Sequence, residues 1–201
     1  LKRFFDTSGD WLFLIDEAHN LPDRARAMYS ARFCKSSLTD AKRTLGKGKS
    51  ALKTALTKAD KAMREARQAC VRLAPRRHAE DAPGEPAQTS LLPESDAPAF
   101  ALPEPLYAQD GTVFCKELPS ALLAPLRALT APLQDWLEDN TDAAAHTALL
   151  DLYFEVQDVL RAAERYDEHF STQLTARGSD LELQLLCLDP SPFVDASLSA
   201  G

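Results

Sequence analysis

Two adjacent carboxylates, Asp16 and Glu17, follow a short apolar run at residues 11–15. The run is long enough for one buried strand, and the functional groups of open α/β sheets gather at the carboxyl ends of strands. An aspartate in that position can hold Mg²⁺ on the phosphates of a nucleotide, and a neighbouring glutamate can orient or deprotonate the attacking water. The pair therefore predicts metal-assisted phosphoryl chemistry. The competing interpretation is a helix N-terminus, where acidic residues are also favoured.

Residues 16–19 read Asp-Glu-Ala-His, which is letter for letter the DEAH box of nucleic-acid helicases. Residues 1–5, 14–21 and 23–26 resemble motif II and its flanks in the XPD/DinG-type DNA helicases, superfamily-2 enzymes that carry an iron–sulfur cluster. Residues 185–191 resemble the segment by which this family returns to its motor before motif III. Between these two anchors the family places its Arch domain, an insertion of helices.

The resemblance implies that the parent protein is an ATP-dependent DNA helicase acting in DNA repair or replication. In such an enzyme Asp16 would hold Mg²⁺-ATP, Glu17 would position the attacking water, and His19 would couple the nucleotide site to the motor. ATP and Mg²⁺ are the implied cofactors. A Walker A motif and the iron–sulfur cluster are expected only upstream, so this chain alone should be inactive as an ATPase.

The same resemblance divides the chain into three parts. Residues 1–21 would be the end of motor domain 1 with the DEAH box, residues 22–170 the Arch domain, and residues 171–201 a hairpin and the return to the motor domain. The expected fold class is mainly α, with antiparallel helices of Arch type and a few strands belonging to the edge of a helicase motor domain. The implied partners are single-stranded DNA, the rest of the motor and the iron–sulfur domain.

The charge of the chain is distributed unevenly. The net charge is −7, yet residues 22–77 contain 16 Lys and Arg against 4 Asp and Glu, a local net charge of +12. The remaining residues carry a net charge of −19. Such asymmetry favours a basic surface for a polyanion, although a solvated helix face would have the same composition.

An apolar seam with a seven-residue repeat predicts a long amphipathic helix over residues 38–73. Its members are Leu38, Leu45, Leu52, Ala59, Ala66 and Leu73, with Leu56, Met63 and Cys70 at the second seam position. In the first half of this segment Lys42 occupies the second seam position, and two glycines follow it. The first half of the predicted helix should therefore pack less well than the second half. The cations off the seam that we expect to contact DNA are Lys53, Lys58, Lys61, Arg64 and Arg67.

Further elements are predicted by periodicity and turn residues. Helices are expected from Pro22 to about Cys34, over residues 119–138 with a kink or split at Pro125 and Pro132, over residues 142–170, and over residues 193–200. Residues 75–105 are predicted to form a long mobile loop because they contain few large apolar side chains. Extended segments are expected over residues 112–115 and in a hairpin of residues 170–176 and 181–188.

The four cysteines, Cys34, Cys70, Cys115 and Cys187, are widely scattered and form no Cys-x-x-Cys pair. This spacing argues against a close-spaced zinc site and suggests reduced thiols in a cytoplasmic protein. The chain contains no run of eighteen apolar residues, so no membrane partner is predicted.

A second hypothesis from a different class is a non-catalytic helical protein-interaction module. In that case the basic surface would meet an acidic protein or the chain's own acidic helix, which contains Asp151, Glu155 and Asp158. The position of the cations separates the two hypotheses. An exposed basic surface favours DNA, whereas ion pairs with that acidic helix favour a structural role.

Overall fold

The computed structural model describes residues 17–45, 50–74, 100–142 and 144–199. In this part of the chain the helices are α1 (Leu21–Tyr29), α2 (Lys35–Thr44), α3 (Ala51–Leu73), α4 (Ser120–Asp139), α5 (His146–Glu164) and α6 (Ser191–Ser199). The strands are β1 (Ala31–Cys34), β2 (Pro105–Gln109), β3 (Thr112–Cys115), β4 (Phe170–Arg177) and β5 (Asp180–Cys187). The predicted mainly α class is confirmed.

The described strands form an antiparallel sheet in the order β1-β5-β4-β3-β2. The β4–β5 hairpin lies at its centre, where Leu174 pairs with Leu183 and both side chains are fully buried. Side chains alternate between the two faces of a strand. The face that contains Leu174 and Leu183 therefore belongs to the hydrophobic core. The neighbouring pair, Gln173 and Gln184, lies on the opposite face, which we call the outer face.

The helices α2 and α3 pack against the core face of the sheet, α5 contacts β1 and β5, and α4 packs against α3 and α5. The predicted seam of α3 is buried at Leu52, Leu56, Ala59, Met63, Ala66 and Cys70. Leu73, at the end of α3, is 44% exposed, so the seam ends one position earlier than expected. Leu122, Leu126, Leu129 and Leu133 of α4 are fully buried. The apolar repeats thus identified the side chains that hold the helical layer together.

A two-residue turn joins β2 to β3 and fixes the end of α3. Asp110 and Gly111 have φ angles of 49° and 80°, the left-handed values that such a turn requires. The backbone N–H of Gly111 donates to the carbonyl of Ala74 over 2.8 Å, and its carbonyl accepts from the N–H of Ala176 over 2.7 Å. The turn therefore connects the C-terminus of α3 to the central hairpin.

Several predicted boundaries are wrong. The single helix expected over residues 38–73 is two helices, because α2 ends at Thr44 with Leu45 as its C-cap and α3 begins at Ala51 with Ser50 as its N-cap. The first helix ends at Tyr29 rather than near Cys34, because residues 31–34 pair with β5 and bury Ala31 and Phe33 alternately. The helix expected over residues 142–170 is shorter than predicted and spans His146–Glu164, whereas β2 begins at Pro105, where the predicted loop was expected to end. The hairpin and the last helix agree with the prediction to within two residues.

The helix α4 is continuous through both of its prolines. Pro125 and Pro132 are seven residues apart and therefore lie on one side of the helix. The leucines of the adjacent face are buried against α3, and this packing outweighs the two missing hydrogen bonds. The expected split of this helix is therefore wrong.

Some sequence-based predictions concern residues that lie outside the described ranges. They are the strand at residues 11–15, Asp16 itself, residues 46–49 between α2 and α3, and residues 75–99 of the predicted loop. The domain boundaries at residues 21 and 170 stay predictions.

Candidate functional site

The described part of the DEAH box is a single turn that leads into α1. Glu17 has a φ of 55°, a left-handed conformation that non-glycine residues adopt only when other contacts hold them there. Its carbonyl accepts from the N–H of Asn20 over 3.0 Å. Its carboxylate Oε2 lies 3.2 Å from Nε2 of His19 and 3.5 Å from Nδ2 of Asn20. The structure therefore brings Glu17 and His19 together, with side chains 64% and 75% exposed.

The helix after the box is attached to the segment that follows β5. Nε of Arg26 donates to the carbonyl of Leu188 over 3.1 Å, and its Nη1 pairs with Asp23 at 2.9 Å. Oγ of Ser30 accepts from the N–H of Cys187 over 2.9 Å. The two sequence segments that resemble helicase anchors, about 160 residues apart in the chain, are thus neighbours in space.

Aromatic side chains reinforce the same junction. The rings of Tyr29 and Phe193 are 5.1 Å apart, and those of Phe193 and Phe170 are 5.6 Å apart. The guanidinium of Arg165, on the exposed end of α5, lies 5.9 Å from the ring of Tyr29. A polar cavity of about 360 Å³ lies beside it, between α1 and α5, with Ser30, Asp158 and Arg161 in its lining.

The five cations predicted to contact DNA all lie on α3, but they differ in their surroundings. Lys58 and Lys61 are exposed, and Nζ of Lys61 lies 3.7 Å from Oε1 of Glu65 on its own helix. Lys53 is partly buried near the start of α3. Arg64 and Arg67 make contacts within the fold. The predicted cations therefore divide into a solvent-facing group and a group that also supports the structure.

Asp60 is the buried carboxylate beneath these cations, and sequence reasoning did not single it out. Its Oδ2 lies 2.9 Å from Nζ of Lys42 on α2 and 2.9 Å from Nη2 of Arg64. The Asp60 side chain is only 10% exposed, whereas Arg64 is 56% exposed. Two cations thus compensate one acid, so this part of the surface keeps a net positive charge. The sequence feature that could have identified Asp60 is its position among the apolar seam residues of α3, next to Ala59.

A second group of arginines, also missed from sequence, continues from α3 onto the sheet. Nε of Arg67 donates to the carbonyl of Gly178 in the β4–β5 turn over 2.7 Å. Next to this turn, Arg177 lies 3.9 Å from Oε2 of Glu182, and Nε of Arg32 lies 2.7 Å from Oε1 of the same carboxylate. Glu182 is nearly buried, whereas the two arginine side chains are 74% and 66% exposed.

Local interactions favour the charged form of Arg32. Its hydrogen bond to Sγ of Cys34, followed by the field of the Glu182 carboxylate, raises the pKa of the guanidinium above its ordinary value. The Arg32 side chain is therefore a permanent cation on the outer face.

The described ion pairs show how the acidic helix α5 meets these cations. Asp158 pairs with Arg161 of its own helix, whereas the cations of α3 meet Asp60 and Glu65 on α3 itself. In the part of the chain that the structure describes, no ion pair joins the two helices. The field of Glu155 on α5 does reach Arg32 of β1, where it is the smallest of the effects that raise the pKa of the guanidinium.

Three of the four thiols are buried within the fold. Cys70, Cys115 and Cys187 are buried, and burial raises the pKa of each, that of Cys70 to about 11. Over the described ranges, no three His, Cys, Asp or Glu side chains are placed to hold a metal ion. Asp16, the predicted Mg²⁺ ligand, lies outside those ranges.

Comparisons with known proteins add no family. A scan against protein-family models finds no match, and a search of curated proteins finds no matching relative. Among the described helices, none has both the length and the apolar character needed to cross a membrane.

Proposed function

We propose that the chain is the segment of an ATP-dependent DNA helicase of XPD/DinG type that contains motif II and the Arch domain. The observation that carries the proposal is the basic surface of α3. Lys58 and Lys61 face solvent there, and the buried carboxylate of Asp60 is compensated by two cations. A sequence-independent phosphate contact needs only such a surface.

The DEAH residues would serve nucleotide hydrolysis in the complete enzyme. Carboxylate oxygens are the ligands that Mg²⁺ prefers, so the chemistry of Asp16 and Glu17 fits the ion. When bound, the ion neutralises charge on the phosphates. Glu17 would accept a hydrogen bond from the attacking water, and its 3.2 Å contact with His19 would tie that carboxylate to the motor.

The basic surface of α3 would contact the phosphates of single-stranded DNA. Neutralised phosphates release counterions, so binding should weaken steeply as salt increases. The affinity expected for a nonspecific complex at physiological salt corresponds to a Kd of about 10⁻⁴–10⁻⁶ M. Together with the iron–sulfur domain, the Arch would frame the path of one strand.

The interaction module remains the second candidate, because two of the five cations make contacts within the fold. Arg64 pairs with Asp60, and Arg67 donates to the turn at Gly178. If the basic surface exists to hold α2, α3 and the hairpin together, it needs no DNA. Lys58 and Lys61 separate the candidates, since neither forms an ion pair with another element among the described residues.

A fluorescence-anisotropy titration of the 201-residue chain with labelled oligothymidylate, at two salt concentrations, tests the proposal. The variant Lys58→Glu/Lys61→Glu should weaken binding and lower the slope of log K against log salt by about 1.4 if each lysine meets one phosphate. Circular dichroism should show unchanged helical content, because both side chains are exposed.

The matched control is Arg24→Glu/Arg165→Glu, which changes the net charge equally. Arg24 lies on α1, and Arg165 contacts Tyr29 of the same helix. That helix is attached at Leu188, about 25 Å along β5 from the Gly178 turn. The control should retain most of the affinity. Absence of binding by the unmodified chain at low salt would favour the interaction module.

A further inference from the structure

A single row of side chains crosses the outer face of the sheet. Arg32 of β1 pairs with Gln184 of β5, and Gln184 pairs with Gln173 of β4. Gln173 pairs with Phe114 of β3, and Phe114 pairs with Tyr107 of β2. Strands lie about 4.8 Å apart, so the row extends about 19 Å.

The members of the row are accessible to a ligand. Arg32 and Tyr107 at its two ends are 66% and 52% exposed, and the three residues between them are partly exposed. The rings of Tyr107 and Phe114 are 6.2 Å apart at an angle of 52°. One end of the row therefore presents two aromatic rings, the middle presents two amides, and the other end presents a cation.

These side chains have the chemistry that binds exposed bases. Aromatic rings stack on bases of any sequence, and amides donate to and accept from base edges. Arg32 can contact a phosphate or stack on a base. The amide nitrogens of Gln184 and Gln173 donate to Glu182 and Thr175 of their own strands, which holds both side chains in place.

The row is continuous with the basic surface of α3. Arg67 contacts the β4–β5 turn at Gly178, the preceding Arg177 is exposed, and both Arg177 and Arg32 lie against Glu182. The Glu182 carboxylate on this path is thus matched by two arginines. A strand whose phosphates follow these cations from α3 over the turn arrives at the row.

We propose that the row Arg32–Gln184–Gln173–Phe114–Tyr107 is a base-contact platform for single-stranded DNA, continuous with the phosphate contacts of α3. The inference rests on the proposed DNA-binding function and assigns it a second surface. Charge complementarity along the path and the paired aromatic rings favour this occupant over a protein.

The test compares two labelled probes of equal length and charge, oligothymidylate and an abasic oligonucleotide. The unmodified chain should bind the strand with bases about fivefold more tightly or better, because one stacked base contributes that much. Tyr107→Ala should remove most of this difference. It should leave the salt slope unchanged, since a neutral ring releases no counterions.

Leu106→Ala is the matched control, because Leu106 is the adjacent residue of β2, is 68% exposed and lies outside the row. It should keep the preference for the strand with bases. Gln184→Ala provides a second test in the middle of the sheet and should reduce the same preference.

Three outcomes would overturn the platform. If neither probe binds at low salt, the proposed function itself is overturned together with the platform. If both probes bind equally with a steep salt slope, the α3 surface binds DNA and the platform is overturned. A preference for bases that survives both Tyr107→Ala and Gln184→Ala would mean that the bases are contacted elsewhere.

Discussion

Lys42 of α2 and Asp60 of α3 form an ion pair, with Nζ 2.9 Å from Oδ2. Lys42 occupies a seam position of the heptad pattern, where a lysine would weaken packing against a neighbouring helix. The Asp60 carboxylate, 10% exposed, accepts this lysine and also Arg64. The pair therefore connects α2 to α3 and explains how a cation is accommodated in an apolar seam.

Asp60→Asn should lower the stability of the chain by about 1–2 kcal/mol. Removing one partner of a buried pair costs about 3–5 kcal/mol, and the partial exposure of Lys42 and Arg64 reduces that cost. For a chain of this size the expected fall in Tm is about 2–8 °C, measured by thermal denaturation. Asp40→Asn, at an exposed pair with Arg43, is the control and should change Tm little.

The same variant should bind single-stranded DNA more tightly at low salt if α3 contacts phosphates. The substitution removes one negative charge from beneath the basic surface, so the local potential becomes more positive. The measurement is the anisotropy titration carried out well below the new Tm. Weaker or unchanged binding by a folded Asp60→Asn would argue that DNA does not approach this part of α3.

Helical periodicity predicted much of the core, because seam residues must be buried wherever the helix packs. The positions from Leu52 to Cys70 followed that pattern. The central hairpin was also predicted, since its strands alternate and a short turn with Gly178 separates them. These features depend on local pattern alone.

Elements that depend on distant pairing were missed. The strand at residues 31–34 is too short for a clear pattern, and only its pairing with β5 makes it a strand. The strand β2 was missed although Asp110-Gly111, a typical hairpin turn, marks its end. The Arg177–Glu182–Arg32 cluster joins residues from β4, β5 and β1, so no spacing in the sequence indicates it.

Leu129→Ala should lower the free energy of unfolding by about 2–5 kcal/mol. Leu129 is fully buried on α4, which packs against α3 and α5, and the smaller side chain would leave a cavity there. Leu106→Ala removes the same atoms from an exposed position and should cost less than about 0.5 kcal/mol. Urea denaturation measures both. Equal effects of the two substitutions would mean that α4 does not pack as described.

Glu17→Gln should reduce ATP turnover in the parent helicase by about 10²–10⁴-fold, the range that a general base contributes. Nucleotide binding should persist, because Asp16 is retained and the amide keeps the shape of the side chain. A steady-state ATPase assay and a nucleotide-binding titration measure the two effects. Glu104→Gln is the control. Glu104 is exposed and directly precedes β2, so this substitution should leave turnover unchanged. Near-normal turnover of Glu17→Gln would contradict the role assigned to the DEAH box.

The buried thiol of Cys70 should make the chain less stable at alkaline pH. Burial, with a smaller effect from Cys115, raises its pKa from 9.0 to about 11 in the folded chain, and its Sγ lies 3.4 Å from the carbonyl of Leu174. Below pH 9 the thiol is protonated in both states, so it does not change stability. Between pH 9 and 11 the unfolded chain releases the proton while the folded chain retains it, so unfolding becomes more favourable as the pH rises.

This thiol should therefore cost about 2 kcal/mol of stability between pH 9 and pH 11. Cys70→Ser keeps a donor for the Leu174 carbonyl but has no group that titrates in this range. Its free energy of unfolding, measured in urea at pH 8 and pH 10.5, should consequently fall less with pH than that of the unmodified chain. Lysines and tyrosines titrate alike in both proteins, so the difference isolates Cys70. Identical curves for Cys70→Ser and the unmodified chain would show that the Cys70 thiol is not buried in solution.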